Sequence, residues 1–301
     1  MRVFMTGASG WIGSAVVPEL LAAGHEVSGI ARSEDSAARL RAAGVAPVPG
    51  SLDDLDTLRT AAEAAEAVIH LGFKHDFTDY AASGRTERAV METFGDALAG
   101  TGKPLLFASG IAMVAPGRPA TEEDASPYTG PDAPRGGAEA LALGFSERGI
   151  QPVALRFAPT VHGDGDHGFT AVLAETARRT GVAGYVGDGA NRWAAVHRSD
   201  AGRLVAKALE NPGVANVVHA VGEEGIAASD IAEAIGRGAG VPVASIAPED
   251  VEAHFWWIGR FFSLDIPASS ALTQERYDWR PTGPTLLEDL AAGHYFARAA
   301  A

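Results

Sequence analysis

The stretch Val3-Phe4-Met5-Thr6-Gly7-Ala8-Ser9-Gly10-Trp11-Ile12-Gly13 decides the fold. An apolar run ends in a glycine-spaced turn, and the turn opens a helical pattern. Gly7 lets the chain reverse tightly, Gly10 leaves room for a pyrophosphate to approach backbone N–H groups, and Gly13 lets the new helix pack closely on the strand. Strand, glycines and helix come in the order that a dinucleotide-binding turn requires, with phosphates on the positive helix end. Ser9, Trp11 and Ile12 lie on the same turn and are candidate cofactor contacts with the three glycines.

Working outward, apolar runs at 2–5, 26–30, 45–48, 67–71, 104–108 and 152–157 alternate with amphipathic stretches near 12–23, 35–43, 54–65, 81–99 and 135–148. This alternation predicts a parallel sheet covered by helices on both faces. Gly24 and Gly44 fall where helix C-termini favour a left-handed residue. The expected fold is α/β, a Rossmann-type doubly wound parallel sheet of six strands with a smaller C-terminal substrate-binding lobe. Residues 1–157 form the dinucleotide-binding part and 158–301 mainly the lobe, with parts of 190–220 returning to the sheet. A Pro/Gly-rich segment at 115–136 reads as a long functional loop.

Composition narrows the function. Twenty-four basic against 38 acidic residues give a net charge of −14, which repels nucleic acid and anionic membranes. Cysteine is absent, which removes disulfides, thiolate catalysis and Cys-ligated metals. No signal peptide and no long apolar span is evident, so a soluble, unprocessed cytoplasmic protein acting on a small molecule is expected.

Four further segments resemble the extended short-chain dehydrogenase/reductase family: Gly50-Ser51-Leu52-Asp53, Val68-Ile69-His70-Leu71-Gly72-Phe73, Arg156 through Val161-His162-Gly163, and Val196-His197-Arg198-Ser199-Asp200. The resemblance covers nearly the whole chain. It implies a nicotinamide cofactor contacted by Ser51, Leu52, Leu71, Gly72, Phe73 and Pro159, with Ser51 standing where the family usually has aspartate. It also implies pairing of the helices at 81–99 and 135–148 in a homodimer, with a monomer as the alternative. At the second strand end, an NAD site places an acid on the ribose hydroxyls, whereas this chain reads Ile30-Ala31-Arg32-Ser33. Arg32 can pair with a 2′-phosphate and Ser33 can donate a hydroxyl, which favours NADP(H) over NAD(H). A solvated arginine at a strand exit is the plain alternative.

The catalytic position departs from the family. Its Tyr-x-x-x-Lys pair is missing, and the aligned stretch Pro134-Arg135-Gly136-Gly137-Ala138-Glu139 puts Arg135 and Glu139 in those places. Such a pair four residues apart on a helix also reads as a surface salt bridge. The usual catalytic hydroxyl falls on Gly110, leaving Ser109 one residue earlier. Arginine is a poor acid but a good holder of an oxyanion. Candidate proton donors are therefore Tyr128, His75, His162, His167 and His197. The acidic and histidine-rich run 162–167 matches no metal-site spacing and reads as part of a substrate loop. The aromatic run 254–262, with Trp193, reads as either core or the roof of a pocket for a bulky, apolar substrate.

These readings point to an NADP(H)-dependent oxidoreductase moving hydride to or from a bulky, largely apolar carbonyl or imine substrate. A non-standard set serves it: Ser109, Tyr128, Arg135, Glu139 and His162. The alternatives are an NADP(H)-binding sensor without catalysis, and an epimerase or dehydratase that restores its cofactor each cycle with His162 or His75 as base.

Overall fold

A computed structural model describes residues 1–74 and 79–297. Seven parallel strands form the main sheet: β1 (Arg2–Thr6), β2 (Glu26–Ala31), β3 (Ala46–Pro49), β4 (Ala67–His70), β5 (Pro104–Gly110), β6 (Gln151–Phe157) and, after three lobe strands, β10 (Val217–Ala220). Their order is β10-β6-β5-β4-β1-β2-β3. Beyond the six strands read along 1–157, residues 217–220 form a seventh, which leaves the lobe and pairs in parallel with β6. The order in which successive strands are added reverses between β1 and β4, and such a switch point opens a crevice at the strands' C-terminal ends.

Both faces of the sheet are buried, which is why its strands are continuously apolar rather than alternating. Phe4, Val68, Leu105, Phe107 and Ala154 pack beneath the helices α3 (Leu55–Ala64), α4 (Tyr80–Leu98) and α5 (Ala138–Leu143). Val3, Met5, Ile69, Leu106 and Val153 face α1 (Gly13–Ala22), α2 (Glu34–Ala42) and α7 (Arg198–Glu210). Gly202 on α7 touches α1 so closely that an added Cβ would lie 2.5 Å from the Ala15 carbonyl oxygen. Gly24 and Gly44 both take φ +80°, as their places after α1 and α2 require.

The lobe holds a three-stranded sheet of β7 (Thr160–His162), β9 (Arg192–His197) and β11 (Glu223–Ala227), and a two-stranded sheet of β8 (Ala183–Val186) and β12 (Val243–Ile246). Around them lie α6 (Phe169–Thr180), α8 (Ala228–Ala239), α9 (Val251–Phe255), α10 (Ile258–Phe262), α11 (Ala271–Tyr277) and α12 (Leu286–Ala291). The aromatic run is mainly structural. Phe255, Ile258 and Phe262 are buried, and Trp193 meets Phe262 edge to face at 5.0 Å. Among the aromatic rings of the run, Trp256 alone stands well exposed.

The expected helix at 135–148 does not form as one piece. Arg135, Gly136 and Gly137 have φ of 54°, 62° and 62°, α5 begins only at Ala138, and a tight 3-10 turn covers Gly144–Arg148. The cause is a close crossing, since a Cβ on Gly136 would meet the Gly84 carbonyl oxygen of α4 at 2.4 Å. A right-handed turn at 135–137 would not deliver the chain to that contact.

Candidate active site

The glycine turn has the shape its sequence requires. Gly7 takes φ +71°, and a Cβ there would sit 2.7 Å from the backbone of Leu71 and Gly72. At Gly13 an added Cβ would strike the Gly7 carbonyl oxygen at 2.1 Å. Gly10 differs, because its Cβ would meet only the Gly7 carbonyl, at 3.1 Å, and otherwise open space. Three residues on begins α1, whose N–H groups have no side-chain cap and no acidic residue in the first turn. A phosphate fits such a cradle.

Around this turn, the Ser9 hydroxyl lies 3.1 Å from that of Ser36, and Ile12 packs on the core. The Trp11 indole N–H donates to the Val161 carbonyl at 2.6 Å, with the Arg198 guanidinium over its ring at 4.0 Å and His167 against its edge. Arg32 is exposed and has no ion-pair or hydrogen-bond partner among the described residues, whereas Arg41 is paired with Glu34 at 2.6 Å. The Ser33 oxygen caps α2 by accepting the Ser36 N–H. Ser51 spends its N–H and hydroxyl on Asp54, at 2.6 and 2.9 Å. Leu52 lies against Gly72, and Pro159 links β6 to β7.

Strand register assembles a second group. Across the C-terminal ends of the sheet, Thr6 pairs with His70, Ser109 with Arg156, and Arg156 with His219. Register partners point to the same face, so these side chains form a polar row beneath α4 and α5. Two networks result. In one, the Thr6 hydroxyl lies 2.6 Å from His70 Nδ1, His70 Nε2 3.1 Å from Glu87, and Arg135 donates to Glu87 at 2.7 Å and to the Ala108 carbonyl at 3.2 Å. The Arg135 guanidinium lies over the Phe73 ring at 4.3 Å. In the other, the Ser109 hydroxyl donates to Glu139 at 2.5 Å, and Arg156 donates to the same carboxylate at 2.6 Å.

Arg135 and Glu139 are therefore not paired with each other. The left-handed turn between them breaks the helical spacing and sends each to a different buried partner. Burial by itself pushes the Glu87 carboxyl up, but Arg135 and then His70 more than reverse this and bring it to about 2. Burial also holds His219 below the usual histidine range.

The remaining candidates divide. Tyr128 is half-buried on the long loop, and both its phenol and that of the nearby Tyr80 are raised by burial. His162 is fully buried in a separate cluster, with Nδ1 2.9 Å from Asp289 and its ring edge on His197, and it touches neither Ser109 nor Arg135 nor Glu139. His197 caps α7 and lies below its usual range through burial. His75 lies outside the described residues. Sequence reasoning missed the roles of Glu87, His70, Arg156 and His219. One signal was available: Glu87 falls in the buried stripe Ser83, Glu87, Val90, Met91, Phe94 and Leu98, where a charge needs a partner.

A doubly wound parallel sheet with a glycine turn at its switch point defines a Rossmann-type α/β protein of the extended short-chain dehydrogenase/reductase kind. The chain belongs to the NAD dependent epimerase/dehydratase family, whose model matches residues 3–222. It is similar to an uncharacterized Schizosaccharomyces pombe protein, 45% identical over 297 residues, 98% of this chain and 100% of that one. A Stigmatella aurantiaca 4-hydroxy-2-methyl-3-oxo-4-farnesyl-3,4-dihydroquinoline-1-oxide ketoreductase is 28% identical over 167 residues, 52% of this chain and 49% of that one. Among solved structures, the Thermus thermophilus UDP-glucose 4-epimerase complex with NAD has the same fold, with a TM-score of 0.74, 20% identity, and coverage of 99% of this chain and 100% of that one.

Proposed function

We propose that the protein is an NADP(H)-dependent oxidoreductase that exchanges hydride between the nicotinamide and a carbonyl or imine carbon of a bulky, largely apolar small molecule. The observation that carries this reading is Arg135. In the place the family gives to its tyrosine, a guanidinium reaches the end of β5 beside Ser109, and its Nε and Nη1 donors are unspent among the described residues. A fixed cation with free donors holds the oxygen of a carbonyl as charge develops there. The nicotinamide supplies the hydride chemistry when bound. The chain's own part is to seat the dinucleotide on the Gly7–Gly13 turn, to line its course with Leu52, Leu71, Gly72 and Phe73, and to hold the acceptor over the ring.

The ketoreductase relative, whose name carries a farnesyl-bearing dihydroquinoline oxide, supports carbonyl chemistry on a bulky, largely apolar molecule. The NAD held by the Thermus thermophilus epimerase supports a nicotinamide cofactor, while Arg32, unpartnered among the described residues beyond β2, supports the 2′-phosphate form. Purified protein with NADPH and a panel of bulky ketones, aldehydes and imines is expected to consume nicotinamide absorbance. Tight NADPH binding without turnover on any of them favours the sensor reading, and retained cofactor with substrate change but no net NADPH loss favours an epimerase or dehydratase. In a fluorescence titration, Arg32→Ala is expected to weaken NADPH about tenfold or more and leave NADH unchanged, the loss of one charge-assisted contact. Equal NADPH affinity in the variant would remove the 2′-phosphate assignment.

A further inference from the structure

We propose that Ser109 and Glu139 form a proton-accepting pair, with the serine oxygen facing the substrate as a hydrogen-bond acceptor, so that the site takes the substrate's alcohol or amine form through its O–H or N–H. This rests on the oxidoreductase reading and assigns its proton step.

The donors on either side of Glu139 converge on its carboxylate. His219 Nδ1 lies 2.8 Å from the Ser269 carbonyl, which only accepts, so Nδ1 carries the proton and Nε2 is left to accept from Arg156 Nη1 at 3.3 Å. Arg156, 1% exposed, donates Nε to both oxygens of Glu139 at 3.2 Å and Nη2 to Oε1 at 2.6 Å. A guanidinium only donates, so Glu139 is an acceptor on this side. The 2.5 Å contact from Ser109 to Oε2 has the length of an O–H donated to a carboxylate. Ser109 has one proton, and it is spent on Glu139. What it turns toward the site is lone pairs, which repel a carbonyl oxygen and attract O–H or N–H. The carbonyl form is met instead by the spare donors of Arg135.

The step balances. As the substrate carbon gives up its hydride to the oxidised nicotinamide, the substrate O–H bond breaks and its proton passes to Ser109 Oγ. The former Ser109 proton passes to Glu139 Oε2. The carboxylate becomes neutral, and the new Ser109 O–H points at the carbonyl just formed. Reduction runs the same path backward. Arg156 is a positioning residue, fixing which Glu139 oxygen meets the serine.

Infrared difference spectroscopy tests the pair without a known substrate. Wild type minus Glu139→Gln at neutral pH is expected to show carboxylate bands for Glu139, and Ser109→Ala, which removes one hydroxyl at a partly exposed site, is expected to shift them. A protonated-carboxyl carbonyl band, or carboxylate bands unmoved by Ser109→Ala, overturns the proposal. On any alcohol oxidised with NADP+, Glu139→Gln is expected to lower kcat about 10²–10⁴-fold, with NADPH affinity intact. Unchanged kcat in Glu139→Gln also overturns it. Wild type that binds no dinucleotide sinks the oxidoreductase reading separately, since the infrared result depends on neither cofactor nor substrate.

Discussion

Glu87 is a carboxylate in a helix stripe otherwise filled by apolar and small side chains, and its partners make a stability prediction at the residue scale. In the folded protein its carboxyl is lowered from 4.5 to about 2. A depressed acid stabilises the fold above its ordinary value, and that contribution is lost as pH falls from about 4.5 through 2. The shift corresponds to about 3 kcal/mol, taken from a residue almost wholly buried. Urea midpoints followed from pH 6 to 2 are expected to fall in that window in the wild type and much less in Glu87→Gln. Arg135→Ala leaves the charge buried with only His70 beside it and is expected to cost about 3–5 kcal/mol at neutral pH. A loss under 1 kcal/mol in denaturant melts would show that the ion pair is not what holds α4 to the 134–137 turn.

At the scale of elements, the glycine turn separates stability from binding. Gly13→Ala drives a methyl into the Gly7 carbonyl at 2.1 Å, so the turn and α1 cannot both keep their places, and a large loss of Tm is expected. Gly10→Ala meets one atom at 3.1 Å and is expected to fold nearly as the wild type, yet to lose dinucleotide affinity because its methyl occupies the open side of the cradle. A Gly10→Ala protein that binds NADPH normally in calorimetry would place the phosphates elsewhere. Both glycines were legible in the sequence, because turn chemistry is local. The segment 135–148 was not. Its apolar spacing reads as one helix, and only the crossing of Gly136 on Gly84 forces three left-handed residues at its start.

On the scale of the whole molecule, the C-terminal segment clasps the loop that reaches back to the glycine turn. Asp289 holds His162, and the Tyr295 hydroxyl donates to Asp166 at 2.9 Å and accepts the Gly163 N–H at 3.3 Å. The same loop carries His167 against Trp11, whose indole is tied to Val161. Tyr295→Phe is expected to cost about 1 kcal/mol and to speed amide exchange at 163–168 more than elsewhere. Uniform exchange across the lobe would argue that the hydroxyl does not secure this loop.

Sequence by itself determined the glycine turn, the alternation that builds a parallel sheet, the glycines that end α1 and α2, and Ser109, Arg135 and Glu139 as residues of interest. The turn, the alternation and the glycines depend on neighbours a few positions away, where periodicity and backbone sterics operate, whereas Ser109, Arg135 and Glu139 stand out through the family resemblance of the segments around them. Only the tertiary structure decided that Arg135 belongs to Glu87, that Glu139 belongs to Arg156 and Ser109, and that His162 sits in another cluster. Those partnerships span 17 to 127 residues of chain. They are set by strand register and by which helix crosses above, and no local pattern encodes either.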